Sequence, residues 1–365
     1  MKKILPFDDD PIIKSYPHYS FMCSMLQTKE QGMDWIYQIY TQISAYSAVW
    51  NNNQNTDFRL GFYPFAGMGD GDLWNICPFI DKMTIPRQFL LQQKDHIAFI
   101  KYWLNKGWYL SMYLDEFFRE DIQQVGVYYH PIFIYGYDDE EKIFYCADCF
   151  ENWKYGTKKV TYDDFNIASK QDYNCDGSNN GIQLYMLKDA YIDGFSIKFF
   201  NQELKDYLNS SMDKEYYYKA NFPYGEMLYS KDGKDKGWYD FGESALKAML
   251  DVLIKAEYNY PNLEQLKFLL LPDFVFLNDY VILMQSRYKW MCQNSYISSY
   301  DSIEESLNNL IKSSEIMRNL FLKFTMTGNK KTLYNLQDKF RKFSNSLSEL
   351  IRIFENKTKG DTLLW

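Results

Sequence analysis

Apolar positions follow two different rhythms along this chain. Up to about residue 190, short apolar runs of helix and strand length alternate with polar turns. Phe21 to Gln27 is a short run compatible with helix. Asp34 stands where a cap would open a helix carrying Ile36, Ile39, Tyr40 and Ile43 on one face. Asn51 to Asp72 is polar and glycine-rich and reads as loop. Asp95 is placed to cap a helix with Ile97, Ile100, Lys101 and Leu104, ending before Gly107. Four runs then read as strands: Trp108 to Leu114, His130 to Tyr137, Lys142 to Ala147, and Ile182 to Leu187. Asp138 to Glu141 is the turn that joins two of them into a hairpin.

Beyond residue 195 the rhythm is helical. Leu246, Met249, Leu250, Leu253 and Ile254 recur at helical spacing within Glu243 to Tyr258. Ser302 to Phe324 and Leu333 to Phe354 are long amphipathic stretches with Gly328 and Asn329 between them, the pattern of an antiparallel helix pair. The chain is therefore expected to be α+β, with a mixed domain over residues 1–190 built on an antiparallel sheet and a mostly helical domain over residues 191–365.

With 365 residues the chain can bury a full core, and its 19% aromatic content rules out a disordered polymer. A formal net charge of −8 gives no basic face of the kind nucleic acids require. No run is long and apolar enough to span a bilayer, and Met1 to Asp10 lacks the apolar stretch of a secretory leader, so a cytoplasmic location is expected. Six cysteines scattered over this length do not form a disulfide framework, which leaves each as core filler or as chemistry. The three histidines, His18, His96 and His130, limit the choice of base.

Thiol catalysis needs a cysteine, a neutral imidazole near it, and a third group fixing the imidazole by its other ring nitrogen. Cys23, within Ser20-Phe-Met-Cys-Ser-Met-Leu-Gln27, reads as lying in the first turn of a helix with Ser20 as its cap, where the backbone dipole would favour thiolate. His130 opens one hairpin strand and Asp148 ends the other. Each lies nine residues from Asp139 in the turn, so the two should be cross-strand neighbours. Singly, each has an ordinary structural explanation: core cysteine, surface histidine, turn-forming aspartate. Together, in the order Cys23, His130, Asp148, they read as a nucleophile, a base and its orienting carboxylate.

The segment His130-Pro-Ile-Phe-Ile-Tyr-Gly-Tyr-Asp-Asp-Glu, followed by Phe-Tyr-Cys-Ala-Asp148, resembles the histidine–aspartate segment of papain-like bacterial cysteine enzymes. Within these it is most similar to the N-terminal domain of the butirosin biosynthesis protein H type. The strand ending on Asp115, the strand-to-helix segment Val160 to Ala168 and the helical C-terminal part also fit, and the likeness covers roughly residues 15–190. The resemblance implies a papain-like core and an acyltransferase that takes an acyl group from a carrier-protein thioester and passes it to an amine, in a thiotemplated secondary-metabolite pathway. It implies an acyl or peptidyl carrier protein and an amine-bearing second substrate as partners. No cofactor is implied beyond the phosphopantetheine arm that presents the substrate, and no metal. One departure is evident: papain-like peptidases place a glutamine six residues before the cysteine as an oxyanion donor, and here that position is Pro17. The backbone N–H of Cys23, Tyr19 and His18 are the candidate replacements. Two rival readings stay open, a peptidase or amidase with the same triad and a non-catalytic carrier-docking protein.

Other motifs carry less. Cys146-Ala-Asp-Cys149 lacks the second ligand pair of a zinc site and closes a strand instead of opening a helix. Cys146 and Asp148 should share a strand face, with Cys149 beginning a loop. Gly67 to Asp72 and Asp232 to Gly237 miss the EF-hand spacing and read as solvated turns. His96 is expected on a surface helix. His18, five residues before Cys23, is the rival base but has no strand partner to orient it.

Overall fold

The computed structural model describes residues 1–50, 55–63, 74, 77–115, 129–151, 154–170, 181–192, 194–211, 237–259 and 262–361. The segment 67–72, most of 232–237, and Cys175 lie outside them. The first elements are β1 (Lys2–Ile4), α1 (Pro17–Leu26), α2 (Gly32–Ile39), β2 (Gln42–Trp50), β3 (Asn55–Tyr63), β4 (Ile80–Pro86), α3 (Arg87–Leu91) and α4 (His96–Asn105). Then come β5 (Trp108–Asp115), β6 (Tyr129–Asp138), β7 (Ile143–Glu151), β8 (Lys154–Thr161), α5 (Tyr162–Ser169), β9 (Gly181–Leu187) and α6 (Ile197–Leu208). The rest is β10 (Gly237–Phe241), α7 (Glu243–Asn259), α8 (Leu263–Gln293), α9 (Asp301–Thr327) and α10 (Lys330–Asp361).

The chain divides into two compact units. One comprises Met1–Met33 and Ala66–Asp193, the other Asp34–Phe65 and Gly194–Trp365. The main boundary falls close to residue 190, and the segment 34–65 belongs with the C-terminal helices. The α+β class with antiparallel sheets and a largely helical C-terminal region is as expected.

The first unit is built on a seven-stranded sheet with the path β4-β9-β5-β6-β7-β8, and β1 pairs with the end of β6. Every pairing is antiparallel. β6 lies at its centre, and Ile132, Phe133 and Ile134 are all fully buried. A continuous apolar run is what a strand covered on both faces requires. β8 is an edge strand, and its lysines at 154, 158 and 159 oppose pairing with another chain. Between Ile134 and Gly136 the β6–β7 register shifts by one residue. Gly136 is where β1 comes in: a Cβ there would stand 2.7 Å from the Lys3 carbonyl oxygen. Only glycine lets the backbones approach that closely.

In the second unit, β10, β2 and β3 form a small antiparallel sheet. The sequence reads Ile36 to Ile43 as one helix, yet the helix stops at Ile39 and Ile43 belongs to β2. Asp34 sits inside the first turn of α2. β3 packs on α8, where Phe62 and Phe276 meet with ring centroids 4.8 Å apart. Pro272 interrupts the α8 ladder, and nearby carbonyls need other donors. The Arg59 guanidinium donates to the Leu269 carbonyl at 3.1 Å, and the buried Asp273 carboxylate accepts from the Leu60 N–H at 2.8 Å. These bonds tie the 34–65 hairpin to the helices.

Helices α9 and α10 are the expected pair, and α9 packs on both α8 and α10. Buried residues on α9 fall at 303, 307, 310, 314, 317, 321 and 324, the alternating three–four spacing of a coiled-coil seam. Gly328, at φ 63°, ends α9 in the left-handed conformation. Among the described residues no helix is long and apolar enough to cross a membrane.

Candidate functional site

Each candidate residue is placed by its strand or helix. His130 is the second residue of β6 and pairs with Leu114 of β5. Asp148 lies toward the end of β7 and pairs with Gly156 of β8. The residue opposite the aspartate therefore has no side chain to compete for its carboxylate. After the register shift, Phe133 pairs with Ala147 and Ile134 with Cys146. On that register Asp148 is opposite Ile132, and His130 is its diagonal neighbour on the same face. The sequence argument had them directly opposite; the turn centre lies nearer residues 140–141, which alone would place Asp148 opposite Phe133, and the extra residue in β6 brings it back by one. A second irregularity follows at once on β7, between Asp148 and Glu151. Bulges of this kind re-aim side chains, and they recur beside functional sites.

The pair itself is close. His130 Nδ1 and Asp148 Oδ2 are 2.6 Å apart, with the aspartate side chain fully buried and the imidazole about one-fifth exposed. Through this bond the carboxylate takes the Nδ1–H, which sets the tautomer and leaves Nε2 as the basic nitrogen. A buried carboxylate also favours the imidazolium that forms when Nε2 takes a proton.

Cys23 is fully buried in α1. The helix starts at Pro17, which suits a first position where no N–H is needed, and Tyr16 is its N-cap. Cys23 is thus the seventh helical residue and lies beyond the first turn, so the dipole contribution argued from sequence does not apply. Ser20 is not a cap; its hydroxyl donates back to the Tyr16 carbonyl at 3.0 Å. The backbone N–H of Cys23 falls within the helical i→i−4 ladder and is committed there.

Tyr155 of β8 reaches α1. Its hydroxyl lies 2.9 Å from Ser24 Oγ, next in sequence to Cys23, and its ring tilts against Phe21 at 6.1 Å. Burial raises the phenol well above its usual range, the Ser24 hydrogen bond opposes that, and the neighbouring Cys149, Asp148 and Cys23 raise it further. One side chain therefore has both the cysteine and the aspartate in its electrostatic surroundings. Sequence reasoning passed over Tyr155; among 33 tyrosines nothing in its local pattern marks it.

His18 is a poor rival as base. It is part-buried with its Nε2 out of solvent, its ring is tilted against Tyr19 with centroids 4.2 Å apart, and desolvation lowers its pKa to about 3. An imidazole that resists protonation so strongly accepts a proton badly at neutral pH. His96 is not on a surface: it is buried, with Nδ1 2.8 Å from Ser169 Oγ. Asp95 caps α4 as expected, accepting from the Ala98 N–H at 2.9 Å. Cys149 is buried within β7 and does not begin a loop. No cluster of three or more metal-ligating side chains occurs among the described residues.

No family model matches the chain, and no curated protein matches it.

Proposed function

We propose that the chain is a cysteine-dependent acyltransferase with a papain-like core, in which Cys23 is the nucleophile, His130 the base and Asp148 its orienting carboxylate. The observation that carries this reading is the His130–Asp148 hydrogen bond of 2.6 Å, with the carboxylate fully buried. A buried aspartate held against a part-exposed imidazole costs desolvation, and an enzyme regains that cost when the imidazole becomes cationic.

In the first half-reaction His130 takes the Cys23 thiol proton, and the resulting thiolate attacks the carbonyl carbon of a thioester. The carbonyl π pair moves onto oxygen, and collapse expels the carrier thiolate, which takes its proton from the His130 imidazolium. In the second, an amine attacks the acyl-enzyme. His130 accepts the amine proton, and collapse releases the amide and the Cys23 thiolate. The donor is a thioester on the phosphopantetheine of an acyl or peptidyl carrier protein, and the acceptor bears an amine. Thioester exchange is nearly isoenergetic and aminolysis is downhill, so the remaining demand is exclusion of water. The complete burial of Cys23 serves that demand better than it serves proteolysis of chains in solution.

Intact-mass spectrometry tests this directly. Incubation with an acyl-loaded carrier and no amine is expected to leave the acyl mass on Cys23, and the correct amine to discharge it as amide. Rapid release as free acid regardless of amine, or efficient cleavage of unstructured peptides, would replace the transferase with a peptidase. Absence of any adduct, together with a carrier that binds, would favour a docking protein.

A further inference from the structure

Helices α8, α9 and α10 run back and forth, so the start of α8, the end of α9 and the start of α10 come to one end of the second unit. Three contacts set the level of α8 against α9. Phe274 stacks on Phe321 with ring centroids 4.7 Å apart, Ser314 Oγ lies 2.9 Å from Asn278 Oδ1, and Gln285 Nε2 donates to Asn308 Oδ1 at 2.8 Å. Carried to the end of the pair, that register brings Phe268 level with Met326. Gly328 and Asn329 make the turn, and Tyr334 stands in the second turn of α10. All three side chains are exposed: Phe268 by 52%, Tyr334 by 50% and Met326 by 79%, the highest value for any large apolar residue among those described. Lysines accompany them. Residues 255–268 and 323–334 contain five lysines, two glutamates and no other charged side chain, in a chain of net charge −8. Lys323, Lys330 and Lys331 are exposed.

We propose that this end of the helical unit docks on an anionic lipid bilayer, with Met326, Phe268 and Tyr334 entering the headgroup layer and the lysines binding lipid phosphates. Apolar side chains gain by leaving water for the acyl boundary, and a surface rich in anionic lipid attracts lysine. Lysine stems are long enough to keep their ammonium groups among the phosphates while the apolar side chains lie deeper. Tyrosine suits the same boundary, since its ring is apolar and its hydroxyl stays wet. A partner helix would need a continuous apolar ridge along one helix to pack against. The three side chains here sit on three different helix ends, an arrangement that a fluid surface accommodates and a rigid groove does not. None of the described helices is long and apolar enough to cross a bilayer, so the contact is peripheral. Nothing in this contact requires the acyltransferase chemistry.

Co-sedimentation of the full chain with vesicles tests this. Phosphatidylcholine vesicles containing about 30% phosphatidylglycerol are expected to bind the chain, and phosphatidylcholine alone to bind it weakly, with affinity falling as salt rises. Lys330→Ala combined with Lys331→Ala is expected to lower the partition coefficient about 25-fold, from about fivefold per lysine. Met326→Ser is expected to lower it about tenfold, the lower range for a methionine side chain leaving water. Lys154→Ala combined with Lys159→Ala, on β8 of the first unit, should change nothing. All five side chains are exposed, so the variants should fold, and circular dichroism checks that each keeps its helices. No binding to the anionic vesicles overturns the proposal, as does equal binding to phosphatidylcholine alone. Equal loss in the β8 variant would show charge attraction without a site, and an unchanged Met326→Ser would show that no apolar side chain is seated; either result overturns it. So does retention of single-stranded DNA or polyglutamate through Lys330 and Lys331 when vesicles are not bound, which would assign this end to a macromolecular partner.

Discussion

At the scale of single residues, Asp148 is the most informative position. It is fully buried and holds His130 by Nδ1. Asp148→Asn keeps a carbonyl oxygen for the Nδ1–H and loses only the full charge that steadies the imidazolium. Asp148→Ala removes the orienting bond altogether. Acyl transfer should therefore fall in the order wild type, Asn, Ala. His130→Ala should cost about 10²–10⁴-fold, the range of a lost general base. Equal activity in all four proteins would reduce the pair to a structural hydrogen bond. Burial also changes which thiol reacts first. Cys23, Cys77, Cys146 and Cys149 are buried, and Cys292 alone among the described cysteines is part-exposed. A bulky maleimide applied briefly to the native chain should label Cys292 ahead of Cys23; the reverse order would show that the α1 site opens readily. His18 gives a pH signature. Its pKa is about 3 when folded against 6.5 ordinarily, so the unfolded chain takes up a proton that the folded one refuses. Its contribution to stability is complete above pH 6.5 and falls by about 1.4 kcal/mol per pH unit below it. Urea midpoints measured from pH 7 to pH 4 should decline, and His18→Phe should flatten the decline.

At the scale of elements, the hairpin β6–β7 was legible from sequence because its signals agree: two apolar runs, a short acidic turn, and chemistry at both outer ends. The register shift was not legible, since it depends on β1 approaching Gly136 from residues far away in the chain. α2 and β2 were misread because Ile36, Ile39, Tyr40 and Ile43 fit one helical face by coincidence. The competing alternation that begins at Gln42 becomes meaningful only once β3 and β10 pair with it. The placement of Cys23 in the first turn failed for a different reason: Ser20 is an attractive cap, but Pro17 is a better first residue. α8 hides its periodicity because it is apolar on most sides and contains Pro272. That helix supports a further expectation. Asp273→Ala removes the acceptor of the buried Leu60 N–H and should destabilise the chain by about 1–3 kcal/mol, the cost of stranding a buried donor. Denaturant unfolding measures it, and a change below about 0.5 kcal/mol would show that the Leu60 N–H finds another acceptor.

For the whole molecule, the division into units matters more than the overall charge. The first unit is discontinuous in sequence, because residues 34–65 fold with the C-terminal helices. A fragment ending at residue 193 would retain the candidate triad and the seven-stranded sheet. It would also carry the β2–β3 hairpin without β10 and α8. Phe58, Leu60 and Phe62, buried in the intact chain, would lose their cover. Such a fragment should be poorly soluble as expressed. Replacing residues 34–65 with a short glycine–serine connection should restore solubility, as read by the soluble fraction and by size-exclusion chromatography. If the unmodified fragment is monomeric and folds cooperatively, the hairpin does not depend on its helical partners.

The shifted register of the β6–β7 hairpin makes this site sensitive to arithmetic. At the turn the exposed Lys142 holds a φ of 54° that β-branched residues resist, whereas Glu140 and Glu141 are exposed and their identities should be nearly interchangeable. Their number is not. Loss of a single codon there would advance β7 by one position and turn Asp148 to the opposite face of the sheet, away from His130. All three candidate residues would still be encoded, and the imidazole would have lost its carboxylate. Length polymorphism in this turn should therefore be the rarest kind of variation among descendants of this gene that keep the His130–Asp148 pair, while substitutions accumulate freely at Glu140 and Glu141.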